Sequence, residues 1–230
     1  MKIDILQGCS GLEWAVPAMR FSWKQFSSRS DSKYYTVDGT NTAFIFGEED
    51  KALAQRLVLA GPSHRKFLRM VFCYMDVTAP LYWWKQFDTH RFGVEKISES
   101  TMHSILVKPF EIDDFEHVDT NDTAVEALHE SYLKTAISQL NIMRNKAMSD
   151  KHDRKECENA IYHMLPDSFL QKRRVCLSYE AMLSIYILRR GHKLKEWHEF
   201  CSTIEAIPEF KIFVDALKGE ADKEITEKYK

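Results

Sequence analysis

Apolar positions recur along this 230-residue chain at two different spacings. From Glu48, Leu53, Leu57 and Ala60 fall at helical spacing behind an acidic first turn, and Gly61-Pro62 stops the pattern, which predicts a surface helix. Leu68, Met70, Phe72 and Tyr74 then alternate with Arg69, Val71, Cys73 and Met75. Both faces of that run are largely apolar, so it reads as a central strand with Asp76 near its end. Thr78-Ala79-Pro80 reads as a helix start, with proline at the first helical position and Trp83, Trp84 and Phe87 following. An acidic stretch from Glu111 to Asp122 leads to Thr123 and Glu126, which have the spacing of a capping box. Val125, Leu128, Tyr132, Ala136, Leu140 and Met143 mark the apolar stripe of a helix reaching Ala147. Shorter helical patterns precede Leu165-Pro166, run from Ser178 to Arg190, and lie between Leu194 and Lys218. Residues 1–47, aromatic and polar around Ser27, Ser28, Ser30 and Ser32, read as a strand-and-loop start. A strand-bearing first half and a helix-rich second half predict an α/β fold of the α+β kind, a mixed sheet flanked by helices. One domain covers 1–230, with 1–63 its least defined part.

Composition narrows the function classes. A hydrophobic fraction of 44% with only 8 Gly and 6 Pro predicts a chain that folds throughout. The formal net charge of −2 argues against duplex nucleic acid as a partner, while local basic clusters can still hold a phosphorylated small molecule. Cys9, Cys73, Cys157, Cys176 and Cys201 form no CxxC pair and follow no secretory signal, so reduced thiols in a cytoplasmic protein are expected. No apolar run approaches the roughly 20 residues of a membrane span. No metal is expected: His152, Cys157 and His163 match no standard zinc spacing, and Ser202 stands where a metalloprotease helix beginning at His198-Glu199 needs its second histidine. Cys176 and Cys201 read as core residues rather than nucleophiles. Without a GxGxxG or Walker A loop, any phosphate has to be held by Arg, Lys and helix termini.

Chemistry concentrates in two stretches, Leu81–His103 and Leu165–Trp197. In the first, an apolar helix delivers Gln86, His90 and Arg91 to its end, and a polar loop with Ser98, Ser100, Thr101 and His103 follows. In the second, the spacing places Ser178 and Arg189 on one helical face about 16 Å apart. Met182 and Ile185 lie between them, as along a groove for a long, flat, phosphorylated ligand. Taken alone, each stretch also fits a core helix with polar ends.

Together the two stretches resemble the flavin-dependent thymidylate synthases, the ThyX family. His64 fits the loop ahead of that family's signature, Gln86 fits its Gln, and Thr89-His90-Arg91 falls on its Arg-His-Arg. Ser100-Thr101-Met102 falls on its Ser-x-Arg after one inserted residue. Leu165-Pro166, Ser178, Ser184, Arg189 and Glu196-Trp197-His198 then match its Leu-Pro, Asn, Asn, Arg and Gln-Trp-Glu spacing, with one extra residue after Arg189. The resemblance implies an enzyme that uses FAD to relay a methylene group from methylenetetrahydrofolate to dUMP, or a related pyrimidine nucleotide, with NADPH as reductant. It implies a homotetramer and no covalent nucleophile. His90 and Arg91 would meet the flavin, with Ser178 and Ser184 near its ring. Gln86, Ser98 and Ser100 would contact the nucleotide and Arg189 would face the uracil, Ser100 and Arg189 being the catalytic pair.

Three family arginines are replaced, by Thr89, Met102 and Tyr162. Each loss removes charge-assisted bonds worth about 1.5–3 kcal/mol. Lys85, Arg65, Lys66, Arg173, Arg174 and Arg190 are the candidates to compensate. Two readings stand beside each other: an active divergent enzyme, and a nucleotide- or flavin-binding relative that has lost the reaction. A purely structural oligomer is a third.

Overall fold

A computed structural model describes residues 1–21, 30–36, 42–150 and 152–228. Ser27 and Ser28 lie outside the described residues, and so do the side chains of Met102 and His103. The strands β1 (Lys2–Ser10), β4 (Phe72–Pro80), β6 (Leu170–Ser178) and β5 (Val94–Ser98) form an antiparallel sheet in the order β1-β4-β6-β5. β2 (Lys33–Thr36) and β3 (Thr42–Ile45) pair antiparallel by themselves, Tyr34 opposite Phe44. The helices are α1 (Leu12–Ala18), α2 (Glu48–Leu59), α3 (Leu81–Phe87), α4 (Thr101–Ser104), α5 (Thr123–Ser149), α6 (Arg154–Met164), α7 (Tyr179–Arg189), α8 (Lys195–Glu205) and α9 (Pro208–Lys228). The expected mixed sheet is antiparallel throughout its four strands, and together with the helix-rich second half it agrees with the expected α/β class.

Four local expectations are corrected. The central strand starts only at Phe72, because Lys66–Met70 winds into a 3-10 turn that buries the adjacent Phe67 and Leu68 together. β4 does run between two neighbours, as its two apolar faces demand. Pro80 is extended (ψ 152°) and closes the strand instead of opening the helix. Proline's fixed φ suits either state, and the free N–H groups at the start of α3 are taken by the carbonyls of Phe169 and Asp167. Asp122, not Thr123, caps α5, its carboxylate accepting from the N–H groups of Ala124 (2.9 Å) and Val125 (3.3 Å). The buried stripe of α5 is Leu133, Leu140 and Ala147, while Leu128 is 72% exposed and Val125 and Tyr132 also face out. A 27-residue helix packed on the 11-residue α6 is covered along only part of its length.

Two compact units divide the chain. The first comprises Met1–Lys2, Asp76–Thr89 and Lys96–Arg174. Its core joins α5 and α6 to Ile105, Leu106, Phe110 and Phe115, with Tyr162 and Phe169 packed against them. Separately, Trp83 stacks on Phe87 at 5.0 Å and meets Trp84 edge-on at 4.9 Å.

The second unit comprises Ile3–Met75, His90–Glu95 and Val175–Lys230. Tyr179 lies edge-on to Phe210 (5.3 Å) and Phe213 (6.2 Å), and its hydroxyl donates to the Gly8 carbonyl at 2.9 Å. α2 packs on α9, with the Gln55 amide donating to the Ile212 carbonyl. Asp50, fully buried on α2, accepts from Arg20 Nε (2.8 Å) and from the hydroxyls of Ser30 and Ser32. Asp31 in turn accepts from the N–H groups of Glu49 and Asp50. This polar knot ties the early loop to the first turn of α2.

One close approach in the second unit sets the register of α7. Gly93 sits at φ 69°, a backbone state that side chains with a Cβ rarely adopt, and a Cβ there would come 2.3 Å from Ser178 Oγ. The Gly93 carbonyl accepts from Ser178 N–H at 2.8 Å, and Ser178 Oγ accepts from Ala181 N–H at 3.2 Å to cap α7.

Two stability predictions follow from these contacts. Asp50→Ala leaves the Arg20 charge and two hydroxyls without their acceptor, and should cost about 3–5 kcal/mol by urea unfolding. Removing the exposed Glu48–Lys51 pair should leave the midpoint nearly unchanged. Ser178→Ala should cost about 1 kcal/mol as a lost cap, and Gly93→Ala about 2 kcal/mol or more from left-handed strain and collision. In the double variant the loss should fall short of the sum, because the obstructing Oγ is gone; strict additivity would show that the two residues do not meet.

Candidate functional site

In the first unit, α3 turns its aromatic face inward and sends its polar end toward the loop. Gln86, half-buried, uses its main-chain carbonyl to accept both the N–H (3.2 Å) and the Oγ1–H (2.7 Å) of Thr89, so the threonine closes the helix end. Trp84 Nε1–H donates to the Gln171 carbonyl at 2.9 Å. The Arg173 guanidinium lies 4.3 Å from the Trp84 ring centroid, donates to both Asp88 oxygens (3.0 and 3.2 Å) and reaches Gln171 Oε1 at 2.9 Å. Lys96 pairs with the same Asp88 at 2.6 Å. Burial works against the Asp88 charge, but Lys96 and Arg173 outweigh it and hold the carboxyl below the ordinary range. Ser98 ends β5, and Ser100 precedes α4 with its carbonyl accepting from Ser104 N–H and Oγ–H; both serines are exposed. A cavity of about 250 Å³ opens beside them, lined among others by Thr101, Ser104, Lys108, Phe110, Phe169 and Gln171.

The second unit gathers the other half of the expected residues around Trp197. This indole is fully buried on α8. The Arg189 guanidinium lies over it, 4.8 Å from the ring centroid. His90 meets the same ring edge-on at 6.0 Å and His192 at 6.3 Å. Arg189 Nε is buried without a hydrogen-bond partner among the described residues. Burial, and then the Arg189 charge, hold the His192 pKa below the ordinary histidine value. His192 Nδ1 accepts from Leu194 N–H at 3.1 Å, which fixes the turn between α7 and α8. Arg91 is exposed and Ser184 half-buried at mid-helix, while Ser178 is buried as the α7 cap.

Sequence reasoning expected His90 at the flavin and Arg189 at the uracil, and the structure brings both to the Trp197 ring. That reasoning did not foresee that the α7 face between Ser178 and Arg189 is closed: Met182 and Ile185 are fully buried, so no open groove runs along it. A face that is apolar between two polar ends packs as core. His192 was also missed, and its only signal was its place between Gly191 and the next helix.

Most of the cations expected to compensate for the missing arginines are already committed. Arg65 forks onto Glu180 (2.9 and 3.2 Å), Lys85 pairs with Asp167 (2.6 Å), and Arg173 holds Asp88. Arg174 holds Asp76, whose pKa that bond and Lys172 keep down at about 2. Arg190 lies 6.0 Å from the Tyr186 ring. Tyr162, where the resemblance expects an arginine, packs against the apolar core of the first unit, and burial pushes its phenol pKa up.

No family model matches the sequence, and none of the curated proteins does. Solved structures do match. Flavin-dependent thymidylate synthase ThyX from Helicobacter pylori, complexed with FAD and dUMP, superposes with a TM-score of 0.65 at 18% identity, over 94% of this chain and 99% of that one. The UMP/dUMP methylase PolB from Streptomyces cacaoi, bound with 5-Br dUMP, superposes with a TM-score of 0.61 at 13% identity, over 95% of this chain and 94% of that one. Among the described residues no helix is long and apolar enough to cross a membrane. The chain has the fold of the flavin-dependent thymidylate synthases.

Proposed function

We propose that this protein is a divergent flavin-dependent methyltransferase that transfers a one-carbon unit from methylenetetrahydrofolate to dUMP or a related pyrimidine nucleotide, with NADPH as reductant. The observation that carries the reading is Arg189, a guanidinium seated on an indole with its buried Nε–H unspent. Buried donors are ordinarily satisfied, and one left over at a helix end is suited to an acceptor supplied by a ligand. A pyrimidine carbonyl offers such an acceptor, and the cation–π contact fixes the direction in which the guanidinium presents its donors. His90, edge-on to the same indole, and the exposed Arg91 are the residues that would hold FAD; Ser184 would stand near it. Bound FAD supplies the redox and one-carbon chemistry, so the chain's task is to bind, orient and exclude water.

The spent cations favour a second reading, a relative that binds nucleotide or flavin without turnover. With Lys85, Arg65, Arg173 and Arg174 on carboxylates, each can grip a phosphate only by leaving its partner.

Purified protein incubated with FAD should develop a flavin spectrum that dUMP perturbs, and NADPH should be consumed when methylenetetrahydrofolate and dUMP are both present. Arg189→Ala should weaken dUMP binding roughly 10- to 100-fold, the equivalent of one charge-assisted hydrogen bond. Flavin and dUMP binding without NADPH consumption selects the second reading; protein that stays colourless with added FAD sinks the first.

A further inference from the structure

The turn between α7 and α8 places a titratable group against the one indole that seats Arg189. We propose that neutral His192 is a positioning residue for Arg189, and that its protonation unseats the guanidinium and weakens nucleotide binding. The proposal rests on the reading of Arg189 as the contact to the pyrimidine.

Three contacts carry it. His192 Nδ1 accepts a hydrogen bond from Leu194 N–H, so that nitrogen bears no proton in this structure and the ring is the Nε2–H tautomer. Leu194 is the N-cap residue of α8, and its carbonyl accepts from the N–H of Trp197, the residue that carries Arg189. His192 N–H donates to the Arg189 carbonyl at 3.0 Å, which binds the turn back to the end of α7. The histidine thus connects the arginine's own backbone to the start of the helix that bears its platform.

Protonation at Nδ1 replaces an acceptor with a donor facing the Leu194 N–H, and that bond is lost. It also adds a positive charge among others. Arg189 faces His192 from α7, His198 from α8, where Nε2 contacts the His192 carbonyl, and Lys193 from the turn itself; His90 lies on the same indole. Burial first, and then Arg189, His198 and Lys193, disfavour the charged ring, so its cost to the fold sets in as pH falls below about 6.5 and grows toward the lower pKa of the folded state. The neutral, Arg189-seating state prevails above that pH. Because binding and protonation are linked, a nucleotide that selects the seated arginine also lowers the His192 pKa further.

The test compares wild type, His192→Asn and His192→Ala as full chains with FAD, titrating dUMP at pH 7.5 and pH 5.5. Asparagine Oδ1 can accept from Leu194 N–H but does not titrate. Wild type should lose roughly tenfold more affinity than His192→Asn across this range, a usual size for coupling between two sites. His192→Ala should be weak at both pH values, and Asn should restore the binding that Ala loses. The dUMP phosphate titrates in the same range for all three proteins and cancels in the comparison. In ligand-free protein the Arg189 Nε–H resonance, shifted by the indole ring current at pH 7.5, should move toward an ordinary arginine position at pH 5.5 in wild type and stay in His192→Asn. Parallel pH profiles for wild type and His192→Asn, or an Arg189 signal indifferent to pH, overturn the proposal. Absence of dUMP binding by wild type at every pH overturns the nucleotide reading instead, and the ligand-free signal then decides the positioning role alone.

Discussion

Ser178 on Gly93 is the contact from which the second unit's candidate site is laid out. A serine whose Oγ fills the space where any Cβ on residue 93 would stand fixes where β6 stops and where α7 begins. The helix then carries Arg189 to a set height, about 16 Å further along its axis. Gly93 also ends the short turn that follows His90, so one close approach governs the starting points of both residues that reach Trp197. Glycine is required there on two counts, a positive φ and the absence of a side chain.

The charged groups fall into two populations. Arg65, Arg173, Arg174 and Lys85 each sit on a carboxylate, and their donors are used in holding the fold together. Arg189 has an aromatic face in place of a carboxylate. An indole orients a guanidinium without neutralising it and without consuming its in-plane donors. That difference separates Arg189 from the arginines spent on the fold more sharply than exposure does, since Arg174 is far more exposed than Arg173 and both are spent.

Much of the architecture was legible because it is written in short-range patterns. The Glu48 helix with its glycine stop, the central strand, and the helix ending at Arg189 all depend on spacing within a few turns, and spacing can be read directly. Element edges shifted where two neighbouring residues could serve: Asp122 displaced Thr123 as a cap, and Pro80 was compatible with strand and helix alike. What could not be read was which partner each group would meet. Arg65 finds Glu180 and Arg173 finds Asp88 across 115 and 85 residues, and no local pattern announces either pairing. Nothing in the local sequence sets Gly93 apart as the glycine that meets Ser178, or His192 as the side chain that accepts from Leu194.

Tyr162 shows what the fold gains from an aromatic ring on the first unit's core. At a position where the ThyX resemblance expects an arginine, its ring adds apolar area to the cluster built from Phe110, Phe115, Leu140 and Ile161. Burying such a ring is worth on the order of 1–2 kcal/mol, whereas a guanidinium in the same place would have to be desolvated beside that cluster. The first unit has therefore gained packing where the resemblance expects charge, and Thr89 has likewise turned its hydroxyl to closing α3. Both contacts serve the fold. If a nucleotide is bound, discrimination must then rest more heavily on the base than on the phosphate, which places the demand for preorganisation on Arg189 and on the residues that keep it on its indole.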